Sequence, residues 1–269
     1  MPLPNAGDID RMEWAIVYFL FGAVFGSFLN VCIYRFPREE SIVWPGSHCP
    51  SCGKPIRARD NIPLLGWVLL RGKCRDCKAS IPFRYFGVEL ATALVWTLFA
   101  LYYGNTWMTA AGILLFTILI GITATDLETG YIPDLFTLPG MAAGLLFSAL
   151  APALQGQEIW HQGLWRSAAG LFLGGGILLL TGILGNWIYK KDSMGGGDIK
   201  LIAMLGAFLG MKNVMLVFLL GPILALPFAL YVKLARKKET IPYGPFLALA
   251  GAWLFFYGNQ TWDFFFAIP

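Results

Sequence analysis

Residues 14–34 read WAIVYFLFGAVFGSFLNVCIY, a run with no Asp, Glu, Lys or Arg. About 20 consecutive apolar residues span the roughly 30 Å hydrocarbon core of a bilayer as a helix, so this run predicts a transmembrane helix. Asp8, Asp10, Arg11 and Glu13 precede it and are net acidic. A secretory signal peptide instead opens with a positive segment and ends its shorter apolar region at a small-residue cleavage site. The run is therefore expected to stay in the mature chain.

Further apolar runs follow at about 86–103, 107–125, 135–151, 165–189, 198–211, 213–234 and 243–258. The expected fold is an all-α polytopic membrane protein of about eight transmembrane helices. Composition agrees: 57% of the 269 residues are hydrophobic and 13% charged, about half the roughly 25% charge of a soluble domain. The segment 198–211 is short and Gly-rich, which suits burial among neighbouring helices. Gly170, Gly174, Gly175 and Gly176 fit a small-residue helix-packing face. The net charge of +4 gives no case for nucleic acid, because the basic residues flank apolar segments and form no open basic stripe.

Orientation follows from the Lys and Arg residues, which concentrate in cytoplasmic loops. With the N-terminus outside, the inside segments are 35–84, 126–134, 190–200 and 232–242. These hold all of the chain's 20 Lys and Arg except Arg11, Arg166 and Lys212. The expected organisation is a first transmembrane helix at 1–34, a cytoplasmic insert at 35–84 and a transmembrane core at 85–269.

The insert carries Cys49-Pro-Ser-Cys52 and Cys74-Arg-Asp-Cys77. Two close thiolate pairs suit one tetrahedral zinc, each pair chelating the ion across its two-residue gap. Two disulfides are the alternative, disfavoured in a reducing cytoplasm. Four Cys ligands leave no open position for water, so the zinc is structural. A segment this small and poor in apolar side chains benefits from such a staple. Gly53 and Gly72 are expected to allow the tight turns beside the pairs. His48 reads as a bystander, and Cys32, inside the first span, as a buried apolar residue.

Ionisable residues at membrane depth are functional candidates, and four Asp residues lie at inner span ends: Asp126, Asp134, Asp192 and Asp198. Asp126 closes the run Leu114–Ile122 through Thr-Ala-Thr. Asp198 follows Gly195-Gly-Gly and opens the next run. Two carboxylates at one depth can share a proton, one activating water and the other protonating a scissile carbonyl. The dipoles of their own helices favour Asp198 as the ionised base and Asp126 as the acid. Asp192, beside Lys190 and Lys191, reads as a solvated boundary residue; Asp134, after Pro133, reads equally as a helix cap or a catalytic part. A Ser193–Lys190 or Ser193–Lys191 dyad would sit in a charged, wet loop that keeps the lysines protonated.

Further motifs run along the chain: Gly26-Ser-Phe-Leu-Asn-Val-Cys-Ile-Tyr-Arg35 with Pro37, Asn61-Ile-Pro63, Leu70-Arg-Gly-Lys-Cys74, Arg84-Tyr85, Val88-Glu89, Ile132-Pro-Asp134, Gly195-Gly-Gly-Asp-Ile-Lys-Leu201 and Tyr243-Gly-Pro-Phe-Leu-Ala248. In this order, with the cysteine array, the sequence resembles the type IV prepilin peptidases, GxGD-type aspartic proteases of the bacterial inner membrane. Phe86 departs from the proline of many relatives and Gly66 from their frequent serine. The family's catalytic aspartates fall on Asp126 and Asp198.

The resemblance implies cleavage of type IV prepilin and pseudopilin precursors after a glycine, at the cytoplasmic membrane face. It further implies methylation of the new N-terminus with S-adenosylmethionine as donor. Arg35, Asn61, Arg71 and Glu89 are polar candidates for holding leader or cofactor, with anchoring and packing of the insert as the competing roles. A proton-coupled transporter is the main alternative, but its acids belong near the midplane within inverted repeats. A non-catalytic zinc scaffold would leave the Gly-Gly-Gly-Asp element unexplained.

Overall fold

The structure, a computed structural model, describes residues 6–190, 194–236 and 241–266, with side chains from residue 12 onward except 189 and 236. Eight α-helices follow in order: α1 (Ala6–Arg35), α2 (Leu65–Leu69), α3 (Phe83–Tyr103), α4 (Trp107–Thr129), α5 (Asp134–Leu150), α6 (Trp160–Tyr189), α7 (Gly196–Tyr231) and α8 (Gly244–Phe266). Among the described residues there is no strand, only isolated bridges joining His48 to Pro55 and Lys73 to Ser80. The all-α reading holds.

Five stretches are long and apolar enough to cross a membrane: Met12–Arg38, Phe83–Tyr103, Trp107–Thr129, Trp160–Ile188 and Gly196–Ala235. Their outer faces carry large apolar side chains such as Phe21, Phe28, Phe172, Leu180 and Trp187 in the open. Water would penalise that surface, while lipid accepts it. The chain is a multi-pass membrane protein. Each of the eight expected segments falls on a helix or half-helix, but α5 is shorter and α8 breaks regularity at Tyr257. Among the described residues, five stretches, and not eight, have the length and apolarity of a crossing.

The chain divides into two compact units, Met1–Ala124 and Thr125–Pro269. In the first, α1 and α3 pack antiparallel: Gly22 lies against Ala93 and Gly26 against Glu89, and a Cβ on either glycine would come within 2.8 Å of the α3 backbone. The α3–α4 contact is secured by the Trp96 indole N–H donating to Thr117 Oγ1 at 2.9 Å. The insert hangs between α1 and α3. Buried Arg35 donates to the carbonyls of Ser41 and Pro45, and the Leu64 N–H donates to Glu89 Oε2 at 2.7 Å.

In the second unit Gly170 and Gly206 meet backbone to backbone; a Cβ on either would collide with the other's carbonyl group. Gly174 lies against both Ile202 and Val214. A straight helix would separate those two residues by about 18 Å at 1.5 Å per residue, so the chain must double back between them. It does so at Gly210, whose φ of 74° and ψ of 176° interrupt α7; a left-handed φ with no Cβ is what glycine permits. The expected spans 198–211 and 213–234 are the two arms of this hairpin. The bend frees helix-end carbonyls in a buried place. Gln155 Nε2 donates to Ala207 O and Phe208 O at 3.1 Å each, and Ser167 Oγ donates to Ala207 O at 2.6 Å.

Candidate active site and metal centre

The cysteine insert builds two similar turns. In the first, the Cys49 N–H donates to Lys54 O and the Gly53 N–H to Cys49 O; in the second, Cys74 N–H donates to Ala79 O and Lys78 N–H to Cys74 O. Gly53 takes the left-handed conformation expected of it, at φ 72°. The corresponding residue after the second pair is Lys78, at φ 61°, and not Gly72. Gly72 is also left-handed, but its role is different: it lies flat under the Trp67 ring, which a Cβ would touch at 2.9 Å.

The two turns face each other. The Sγ atoms of Cys49, Cys52, Cys74 and Cys77 all lie within 4.8 Å of one another, and none is in a disulfide. Cys49 Sγ and Cys77 Sγ are 3.8 Å apart, matching the roughly 3.8 Å edge of a tetrahedron with Zn–S bonds of about 2.3 Å. The donor set therefore fits zinc. His48 Nδ1 is occupied by Gly46 O at 3.0 Å and stands apart from the sulfur cluster. Asp60 and Arg75 brace the insert by a two-pronged ion pair at 2.6 and 2.7 Å, whose hydrogen bonding holds the Asp60 carboxyl below the usual carboxylate range.

In the second unit a cavity of about 270 Å³ is lined by Asp126, Ile132, Asp134, Gly195–Gly197, Asp198 and Lys200. Asp126 is brought there by the last turn of α4, and Asp198 by the first turn of α7. The two aspartates line the same cavity. The glycine run explains the approach. A Cβ on Gly197 would meet Ile132 Cβ at 2.8 Å, and one on Gly195 would meet the Asp198 carboxylate at 2.9 Å.

Buried Asp126 accepts the Gly244 N–H on Oδ2 at 2.8 Å, at the start of α8. The dipole asymmetry expected between the aspartates is thereby lost. Asp198 sits at the N-terminus of α7, and Asp126, though near the end of its own helix, faces the N-terminus of α8. Both positions favour an anion. Asp134 does not cap α5, whose N-cap is Pro133; its carboxylate instead binds Lys200 Nζ at 2.6 and 2.7 Å. Arg35 and Glu89 are consumed in holding the insert, whereas Asn61 and Arg71 are exposed. Lys191, Asp192 and Ser193 lie outside the described residues, so the boundary reading of Asp192 and the Ser–Lys dyad both fall there.

Sequence reasoning named Lys200 and Gly244 only as members of motifs, with no role. The signal for Lys200 was its place two residues beyond Asp198. A backbone donor such as Gly244 leaves no side-chain signal.

Comparison with known proteins places this architecture. Residues 20–103 match the Bacterial Peptidase A24 N-terminal domain, and residues 113–230 match the Type IV leader peptidase family. The chain belongs to the type IV leader peptidase family. The four cysteines fall in the first matched region; Asp126, Asp134, Asp198 and Lys200 fall in the second. Gly244 lies beyond both. Among relatives in this family, the prepilin leader peptidase/N-methyltransferase of Neisseria gonorrhoeae is 34% identical over 270 residues, covering 89% of each chain. That of Aeromonas hydrophila is 37% identical over 266 residues, covering 87% of each. That of Pseudomonas aeruginosa is 34% identical over 292 residues, covering 97% of this chain and 96% of its own. No solved structure matches the chain.

Proposed function

We propose that this member of the type IV leader peptidase family removes the leader of type IV prepilins and pseudopilins after a glycine and methylates the new N-terminus. The observation that carries the peptidase reading is the meeting of Asp126 and Asp198, from helices far apart in sequence, on one cavity. Like charges that close favour holding one proton between them. The ionised carboxylate takes a proton from water as that water attacks the scissile carbonyl carbon. The protonated one gives its proton to the carbonyl oxygen. Collapse of the tetrahedral adduct breaks the C–N bond: the amine leaves with the proton gained by the first carboxylate, while a hydroxyl of the adduct returns its proton to the second, giving the product acid and restoring the shared-proton pair. The Gly244 N–H holds Asp126 in place throughout.

The site is assigned to the cytoplasmic face of the inner membrane with the N-terminus outside, on the distribution of Lys and Arg. In functional terms residues 35–84 form the zinc insert and 85–269 the peptidase core. Cys49, Cys52, Cys74 and Cys77 would hold zinc, which supplies a cross-link and no reactive position. S-adenosylmethionine is the proposed methyl donor, in keeping with the names of the relatives.

The test is incubation of the purified protein with a prepilin in detergent, scoring leader loss and the mass of the new terminus. Asp126→Asn and Asp198→Asn should each abolish cleavage while the protein remains folded; processing retained by either variant refutes the dyad. Added S-adenosylmethionine should raise the terminal mass by one methyl group.

A further inference from the structure

The zinc insert presents a surface that neither the peptidase nor the zinc site uses. Its short helix α2 is held against the side of α3. The Leu64 N–H binds Glu89, six residues into α3, which is about 9 Å along that helix at 1.5 Å per residue. Trp67 packs on Phe83 and Phe86, with ring centroids 5.7 and 5.3 Å away, and its indole N–H donates to Ile81 O. Since α3 is one of the membrane-length helices, α2 lies alongside its first two turns, at the level of the membrane boundary. Aromatic side chains there match the belt seen at such boundaries.

The outward side of α2 is apolar and uncovered: Leu65, Val68 and Leu69 are 55%, 52% and 73% exposed. Directly beyond it, Arg71, Lys73 and Lys78 surround a depression of about 410 Å³ that Leu69 also lines. Arg75 on the same rim is neutralised by Asp60. Among the described residues, Arg71, Lys73 and Lys78 make no ion pair. An exposed apolar face bordered by cations that make no ion pair has the complementarity of an anionic lipid surface.

We propose that α2 and the 71–78 turn form a docking site for an anionic phospholipid. Leu65, Val68 and Leu69 enter the acyl boundary, and Arg71, Lys73 and Lys78 gather round the headgroup phosphate. The site would tie the zinc insert to the membrane surface independently of α1 and α3.

The test uses the full-length, zinc-loaded protein, stripped of lipid in detergent and titrated with phosphatidylglycerol or phosphatidylcholine of equal chain length. Retained lipid is counted by native mass spectrometry. The variant Arg71→Gln/Lys73→Gln/Lys78→Gln should weaken phosphatidylglycerol retention about tenfold or more, with phosphatidylcholine unchanged. Removing two basic charges elsewhere, by Arg166→Gln/Lys212→Gln, should leave the preference intact. Should the triple variant lose zinc, Lys73→Gln and Lys78→Gln singly carry the test, each with a partial loss. Three results would overturn the proposal: unchanged phosphatidylglycerol retention in the zinc-loaded variants, equal loss in the Arg166/Lys212 control, or displacement of the lipid by water-soluble glycerol phosphate or an acidic peptide at equal concentration.

Discussion

Gly244 donates its backbone N–H to Asp126 Oδ2 at 2.8 Å across 118 residues of sequence. This bond fixes one oxygen of a carboxylate whose position the proposed chemistry depends on. A Cβ at residue 244 would itself sit 2.8 Å from that oxygen, so Gly244→Ala must push the carboxylate aside. A hydrogen bond to a charged group is worth about 1.5–3 kcal/mol, which predicts a fall in kcat of roughly ten- to a hundredfold. KM for the prepilin should change little. A variant with full kcat would show that Asp126 is oriented by something else.

Lys200 and Asp134 join the start of α7 to the start of α5 beside the aspartates, with both side chains about half exposed (40% and 45%). Such a pair contributes at most about 1 kcal/mol to stability, so its effect should be local. Lys200→Ala is expected to lower cleavage several-fold while shifting the melting temperature little. The exchanged variant, Lys200→Asp with Asp134→Lys, should recover activity relative to either half alone. Failure of the exchange, with both proteins folded, would mean that Lys200 acts on the substrate rather than through Asp134.

The four sulfurs should behave as one ligand set. Cys49→Ser or Cys74→Ser leaves three thiolates and opens a coordination position, so purified protein should lose most of its zinc by elemental analysis. Proteolysis should then begin within 36–82 while the helices of the second unit stay resistant. Chelation of the unaltered protein should reproduce that pattern. Equal zinc content in either variant would remove the cysteines from the metal site.

What could be read from the sequence divides along physical lines. Asp126 and Asp198 were legible because acids at the ends of apolar runs are costly and need a reason. The cysteine array was legible because metal chelation constrains spacing. The break near residue 210 showed as a short gap between two apolar runs, though not that the arms would fold onto one face of α6. Lys78 was missed because lysine gives no hint of a left-handed backbone; the clue was its place after the second Cys pair, matching Gly53 after the first. The Lys200–Asp134 pair joins residues 66 apart, and only the fold brings them together. The opposed dipole roles failed because a neighbouring helix, α8, supplied a second N-terminus.

Gln155 is the last test, because it separates stability from chemistry. Its side chain is buried, and Nε2 donates to Ser148 Oγ, Ala207 O and Phe208 O where α7 turns back at Gly210. Gln155→Ala strands carbonyls that the bend has removed from helical pairing, at a cost of about 1–3 kcal/mol. Gln155→Glu should be worse, since an ionised carboxylate would face those same carbonyl oxygens with no hydrogen to give. Thermal unfolding in detergent should rank unaltered protein above Gln155→Ala above Gln155→Glu. Below the unfolding transition, the folded fraction of Gln155→Ala should cleave prepilin at nearly the unaltered rate, because Asp126 and Asp198 lie at the other end of that arm. A large loss of kcat without loss of stability would instead couple the Gly210 bend to the active site.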